Sequence, residues 1–165
     1  MLFRSDTGAP TLTPVQRDRL LRLGPMPEPP IDPTNRWSAD PQAAELGRWL
    51  FHEPRLSRNQ QVSCASCHQP ELGFADGRPL AMGLSQGPRH TQSLLNAAHQ
   101  RWLTWDGRAD SLWSQALHPF EAPHEMGLSR AEVVERVRAI EPLRTRFERV
   151  FGALPAPGEI GRAHV

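Results

Sequence analysis

Apolar positions along this chain fall into two regimes. In the first, they recur at helical spacing behind clear start signals. Asp40 is placed to cap a helix with Pro41 in its first turn. Ala43, Leu46, Trp49 and Leu50 give it an inward face, with Gly47 and Phe51 one turn apart, and Pro54 stops it. Ser129-x-x-Glu132 is a capping box, followed by Val133, Val137 and Ile140 at the same period. Glu141-Pro142 predicts a break there. A last helix is expected from Pro142 to Phe151, with Leu143, Phe147 and Val150 inward and Gly152 closing it. Near the start, Thr13-Pro14-Val15-Gln16 opens a shorter helix that should end near Gly24.

In the second regime the apolar residues lose their period. Residues 25–36, PMPEPPIDPTNR, read as an extended proline-rich linker. From Pro54 to Arg89 the pattern predicts loop, with one short helix around Cys64 and Cys67. Short helices are expected from Thr91 to Ala98 and from Asp110 to Leu117, and Pro119 and Pro123 should enforce another loop. ALPAPGE, residues 153–159, is a second linker, and IGRAHV follows. No stretch alternates well enough for a sheet. The expected class is all-α with long loops. Its expected parts are a helix and linker (1–36), one domain (37–152), and a linker with the truncated start of a further domain (153–165).

Composition changes this picture in one respect. With 17 prolines and 12 glycines among 165 residues, and only 38% apolar residues, the core is expected to be thin. A large apolar cofactor would give such a chain something to wrap around. A net charge of +1 without like-charge blocks argues against a nucleic-acid or membrane-surface partner. All 19 basic residues are arginine, which reads as genome composition rather than function. No apolar run approaches the ~18 residues of a membrane span. The opening MLFRSDTGAP has no signal-peptide apolar segment.

The chemistry concentrates in VSCASCHQPELGFADG, residues 62–77. Cys64-x-x-Cys67-His68 is the attachment pattern of haem c. Two thioethers at this spacing meet one porphyrin edge, and the following imidazole becomes the proximal iron ligand. A zinc half-site would need two further ligands at suitable spacing, and His90 and His99 do not supply it. A redox dithiol would call for a βαβ context. Haem c attachment implies a periplasmic location, and therefore a targeting segment already removed or a chain that is part of something longer. The sixth iron position then decides the function. A methionine there, Met82 or Met126, would make a monohaem electron-transfer cytochrome; an open position would admit peroxide.

The stretches ELGRWLFHEPRLSRNQQVSCASCHQPELGFADGRPLAMG, GPR and LLNAAHQRWLTWDGRADSLWSQALHPFEAPHEMG occur in the order found in a known family. From about Asp40 to Gly127 the chain resembles the first haem domain of bacterial di-haem cytochrome c peroxidases and their MauG-type relatives. The resemblance implies a cytochrome c-like domain whose haem, held by Cys64, Cys67 and His68, reacts with hydrogen peroxide. It implies Glu125 as the distal acid–base group, Gln115 as a pocket residue that helps place water or peroxide, and Pro119 in the pocket wall. Trp105 would lie between two haems as electron conduit. The family draws electrons from small redox proteins, while MauG-type members oxidise residues of a partner protein. Asp106 and Arg108 read instead as a structural turn and ion pair.

Three departures qualify the resemblance. Many of these peroxidases have a histidine, in the loop before GPR, that occupies the distal side of the iron at rest. Leu84 stands about there and cannot ligate, so an open site without reductive activation is expected. His90 stands where the family usually has a calcium-binding asparagine, which counts against calcium. There is one Cys-x-x-Cys-His, so a second haem domain is absent from this sequence.

Overall fold

A computed structural model describes residues 12–154, 156, 157 and 160–163. The outer parts of the expected terminal segments, residues 1–11 and several of 153–165, lie outside these. Among the described residues there are seven α-helices: α1 (Pro14–Leu21), α2 (Pro41–Phe51), α3 (Cys64–Cys67), α4 (Leu112–Gln115), α5 (His118–Glu121), α6 (Arg130–Ala139) and α7 (Glu141–Phe151). Among the described residues there is no strand, only isolated bridges such as Gln69–Ala75 and Leu103–Ala109. The chain is helical, as its pattern predicts. None of these helices is long and apolar enough to cross a membrane.

The capped helices form where their signals lie. In α1 the Thr13 and Gln16 side chains close a capping box, and in α2 Asp40 Oδ1 accepts from the amides of Gln42 and Ala43. Ser129 and Glu132 do the same for α6. Glu141-Pro142 breaks the helix at a single residue rather than a loop. Ile140 closes α6 by donating to Arg136, and its carbonyl accepts from Leu143 and Arg144 to open α7. Pro142 fits because an N–H in the first helical turn has no intrahelical partner to lose.

The core lies between α2, α6 and α7. Leu46, Leu50, Val133, Val137, Leu143 and Phe147 are fully buried there, joined by Leu56, Leu117, Phe120 and Met126 from the intervening segments. Each large apolar side chain so buried contributes about 1.5–3 kcal/mol.

Three expectations fail locally. Trp49 points away from the core, 45% exposed, with the Arg146 guanidinium 4.0 Å from its ring centre. Ala43, Leu46, Gly47 and Leu50 already fill the face at i, i+3, i+4 and i+7, which leaves Trp49 on the flank. No helix forms over Thr91–Ala98. The Ser93 hydroxyl donates to the Gly73 carbonyl and accepts from Leu95 N–H, holding the segment extended, and only Ala97–His99 makes a short 3₁₀ turn. Pro119 does not enforce a loop, because it sits in the first turn of α5.

Candidate haem site

The segment before the cysteines is a built turn. Glu53 accepts from the Arg55 amide and, bidentately, from its guanidinium at 2.7 and 2.6 Å. That hydrogen bonding holds the Glu53 carboxyl below its ordinary value, against an opposing push from burial. Leu56 enters the core, and the Ser57 hydroxyl donates to the Pro54 carbonyl and accepts from Val62 N–H. Val62 is therefore fixed against the core, and the cysteines follow immediately. This accounts for the Pro-Arg-Leu-Ser motif in structural terms.

In α3 the Ser66 hydroxyl caps the Ser63 amide, and His68 N–H donates to the Cys64 carbonyl. One helical turn puts Cys64 and Cys67 on one face, both as free thiols. Cys64 packs against the core cluster, and burial pushes its thiol up to about 12. Cys67 is raised as well, first by burial and then by the charges of Asp76 and Glu125. Its sulfur lies 3.6 Å from the Met82 carbonyl.

His68 is fixed by one bond. Its Nδ1 lies 2.9 Å from the Phe74 carbonyl, which can only accept, so Nδ1 carries the proton and Nε2 keeps its lone pair. A backbone carbonyl on the far nitrogen is the usual orienting partner of a metal-bound imidazole. Phe74 reaches this position at φ +58°, a left-handed conformation that costs a non-glycine residue about 1 kcal/mol or more. Gln69 and Phe74 close the turn beneath it through Gln69 N–H to Ala75 O and Phe74 N–H to Gln69 O. Two free thiols on one face and an imidazole with Nε2 available fit haem c.

Glu125 lies on the loop from Ala122 to Gly127. Its charge adds a smaller upward push on the Cys64 and Cys67 thiols, after that of burial. A second loop clasps this one. Leu84 N–H donates to the Glu125 carbonyl and Ser85 N–H to the His124 carbonyl, at 3.0 and 3.2 Å. A Cβ on Gly83 would stand 2.6 Å from the His124 oxygen and 2.8 Å from the Glu125 Cα, so only glycine allows the approach. The Leu84 side chain packs against the core. Asp76 bonds the Arg78 amide through Oδ1, while its buried Oδ2 has no hydrogen-bond partner among the described residues.

The remaining candidates are spread around this centre. Gln115 closes α4 with its Oε1 3.3 Å from His118 Nδ1. Pro119 offers its carbonyl to the Met126 amide, which anchors the Glu125 loop. Met126 is 2% exposed within the core, whereas Met82 is 42% exposed. Trp105 is not a core residue. It is 58% exposed, with the His90 ring edge-on at 5.4 Å and Arg89 nearby. Asp106 accepts from Thr104 and Arg108 and pairs with the Arg108 guanidinium, the structural turn its sequence predicts. The sequence reading missed the Phe74 carbonyl and the His124 side chain. The local sequence carries no signal for the first, which is a backbone atom. The second was legible only as a neighbour of Glu125.

Fold and site together define a helical domain with two free thiols and an oriented imidazole on one turn. The chain belongs to the di-haem cytochrome c peroxidase family, whose model matches residues 41–165. It is 42% identical over 149 residues to the methylamine utilization protein MauG of Methylorubrum extorquens, a match covering 89% of this chain and 40% of that protein. It is 40% identical over 130 residues to cytochrome c551 peroxidase of Nitrosomonas europaea, covering 77% of this chain and 38% of the relative. A MauG-like protein associated with microbial copper homeostasis superposes with a TM-score of 0.73 at 33% identity, over 84% of this chain and 42% of the other. The diheme peroxidase BthA of Burkholderia thailandensis does so at 0.66 and 29% identity, over 76% and 36%. The chain thus spans about 40% of the length of the relatives it matches.

Proposed function

We propose that residues 37–152 form a cytochrome c-like haem domain that reduces hydrogen peroxide to water, as part of a periplasmic di-haem peroxidase of MauG type. Haem c, held through Cys64 and Cys67, supplies the iron at which peroxide binds and through which electrons pass. His68 presents Nε2 to that iron, oriented by the Phe74 carbonyl. Glu125 would take a proton from one peroxide oxygen and return it to the other as the O–O bond breaks. Two electrons and two protons in all turn one peroxide into two waters. Gln115 and Pro119 would line the peroxide pocket, and Trp105 would pass electrons from a second haem domain. A small redox protein, or residues of a partner protein, give up the electrons. The observation that carries the reading is the clasp that joins the Glu125 loop to Gly83 and Leu84, next to the Met82 carbonyl that the Cys67 sulfur meets.

The clasp supports an open position on the iron. Leu84 sits where related peroxidases bring in a histidine, and its loop is bonded to the Glu125 loop. His90 supplies no carboxamide for calcium, and its ring is turned edge-on to Trp105. The electron-carrier reading keeps one observation in its favour, the closeness of Met82 to Cys67. The burial of Met126 in the core favours packing over ligation.

The test is Glu125→Gln in the haem-loaded protein. Positioned proton transfer is typically worth about 10²–10⁴ in rate, and a loss of that order in peroxide cleavage is expected, with the resting spectrum high-spin and unchanged. An unchanged rate rejects the acid–base role. A low-spin spectrum that Met82→Ala turns high-spin selects the electron carrier instead.

A further inference from the structure

We infer that His124 is a positioning residue for Glu125, its imidazole set beside the carboxylate so that the carboxylate keeps one orientation while it handles the proton. The inference rests on the peroxidase reading. Neighbouring side chains in an extended segment point to opposite sides, but this segment turns. Glu125 and Gly127 both donate to the Ala122 carbonyl, and the turn brings the two side chains together. His124 Nε2 lies 3.4 Å from Glu125 Oε1. At that distance the two side chains make an ion-pair contact rather than an aligned hydrogen bond.

Both partners are held from outside the pair. The carbonyls of His124 and Glu125 are taken by the amides of Ser85 and Leu84. The ring lies against Gly87, where an added Cβ would come within 3.2 Å of Cδ2 and 3.7 Å of Nε2. A glutamate of ordinary freedom samples many rotamers, and holding a reacting group in one of them removes that cost from the chemical step. The imidazole is 35% exposed and the carboxylate 44%, so neither group is sealed in. The contact between them therefore matters more for orientation than for charge.

The experiment is a double-mutant cycle on the haem-loaded protein, read by cyanide association with the ferric iron as well as by peroxide cleavage. Hydrogen cyanide must give up its proton as the anion binds, so its rate reports on Glu125 without turnover. His124→Leu should slow both reactions about tenfold. His124→Gln, which keeps a donor at similar reach, should recover most of the loss, and His124→Leu should cost nothing further in Glu125→Gln. If His124→Leu does not fold, Gly87→Ala, which presses a methyl group on the ring, should slow both reactions in its place. The inference is overturned if His124→Leu keeps both rates while Glu125→Gln loses them. It is also overturned if glutamine rescues nothing, or if the His124 effect persists without Glu125. Unchanged rates in Glu125→Gln alone mean that the peroxidase reading has failed, and the inference with it.

Discussion

The helical half of this molecule and the half that carries the cysteine pair are held by different forces. Helices α2, α6 and α7 exchange apolar faces, and Leu46, Leu50, Val137, Leu143 and Phe147 are buried among one another. The stretch from Arg58 to Gly107 carries the cysteine pair and His68, and it gives that core only Val62, with Cys64 and Leu84 packed against it. It is fixed chiefly by hydrogen bonds to the backbone: the His68 ring to the Phe74 carbonyl, the 84–85 amides to the 124–125 carbonyls, Leu103 to Ala109. Burial is forgiving of small displacements, whereas such bonds are short-ranged and directional. The chain therefore uses an apolar frame for stability and hydrogen-bonded loops for placement.

The sharpest way to break this division is Phe147→Ala. It should cost about 3–5 kcal/mol, because the cavity lies at the centre of the frame. Denaturant unfolding followed at the tryptophans and at far-UV helix signals should shift as one transition, since the loops have no core of their own. A loop signal that survives the shift would show that they do.

Gly83→Ala probes the other half. The new Cβ meets backbone rather than a movable side chain, so one loop must yield, at a cost of about 1–3 kcal/mol. Peroxide cleavage should fall far more than the melting temperature does, because the displaced atoms carry Glu125. Equal losses of both would merge the two halves.

Glu53 lies at their junction, and its effect depends on pH. Its folded-state carboxyl is held below the ordinary value, so the stability it adds is present above about pH 4.5 and is lost as pH falls through that lowered value. Its side chain is 10% exposed but Arg55 is 51% exposed. After that discount, Glu53→Gln should cost about 1 kcal/mol at pH 7. Urea midpoints at pH 7 and pH 3 should show a gap that closes in acid. The smallest effect belongs to Ser129→Ala. Losing this cap should cost about 1 kcal/mol or less, with haem spectra and peroxide cleavage unmoved.

The same division decides what the sequence discloses. Capped, periodic helices are written locally, so Asp40-Pro41 and Ser129-x-x-Glu132 mark α2 and α6 to the residue. Cys64, Cys67 and His68 are equally local, since the chemistry needs them at that spacing. What stays hidden depends on distant partners. Thr91–Ala98 has helical composition, yet Ser93 bonds to a glycine carbonyl 20 residues away. Trp49 looks like an inward residue until α7 supplies Arg146. The place of the Glu125 loop is set by a clasp between residues 83–87 and 124–125, and no window of sequence contains both.

The half-burial of Cys64 bears on how a haem would be joined to it. Its side chain packs against the core cluster, and burial pushes its thiol up to about 12, a neutral form ill suited to adding across a vinyl group. Attachment there, as proposed above, would run more readily before the core has packed against the sulfur.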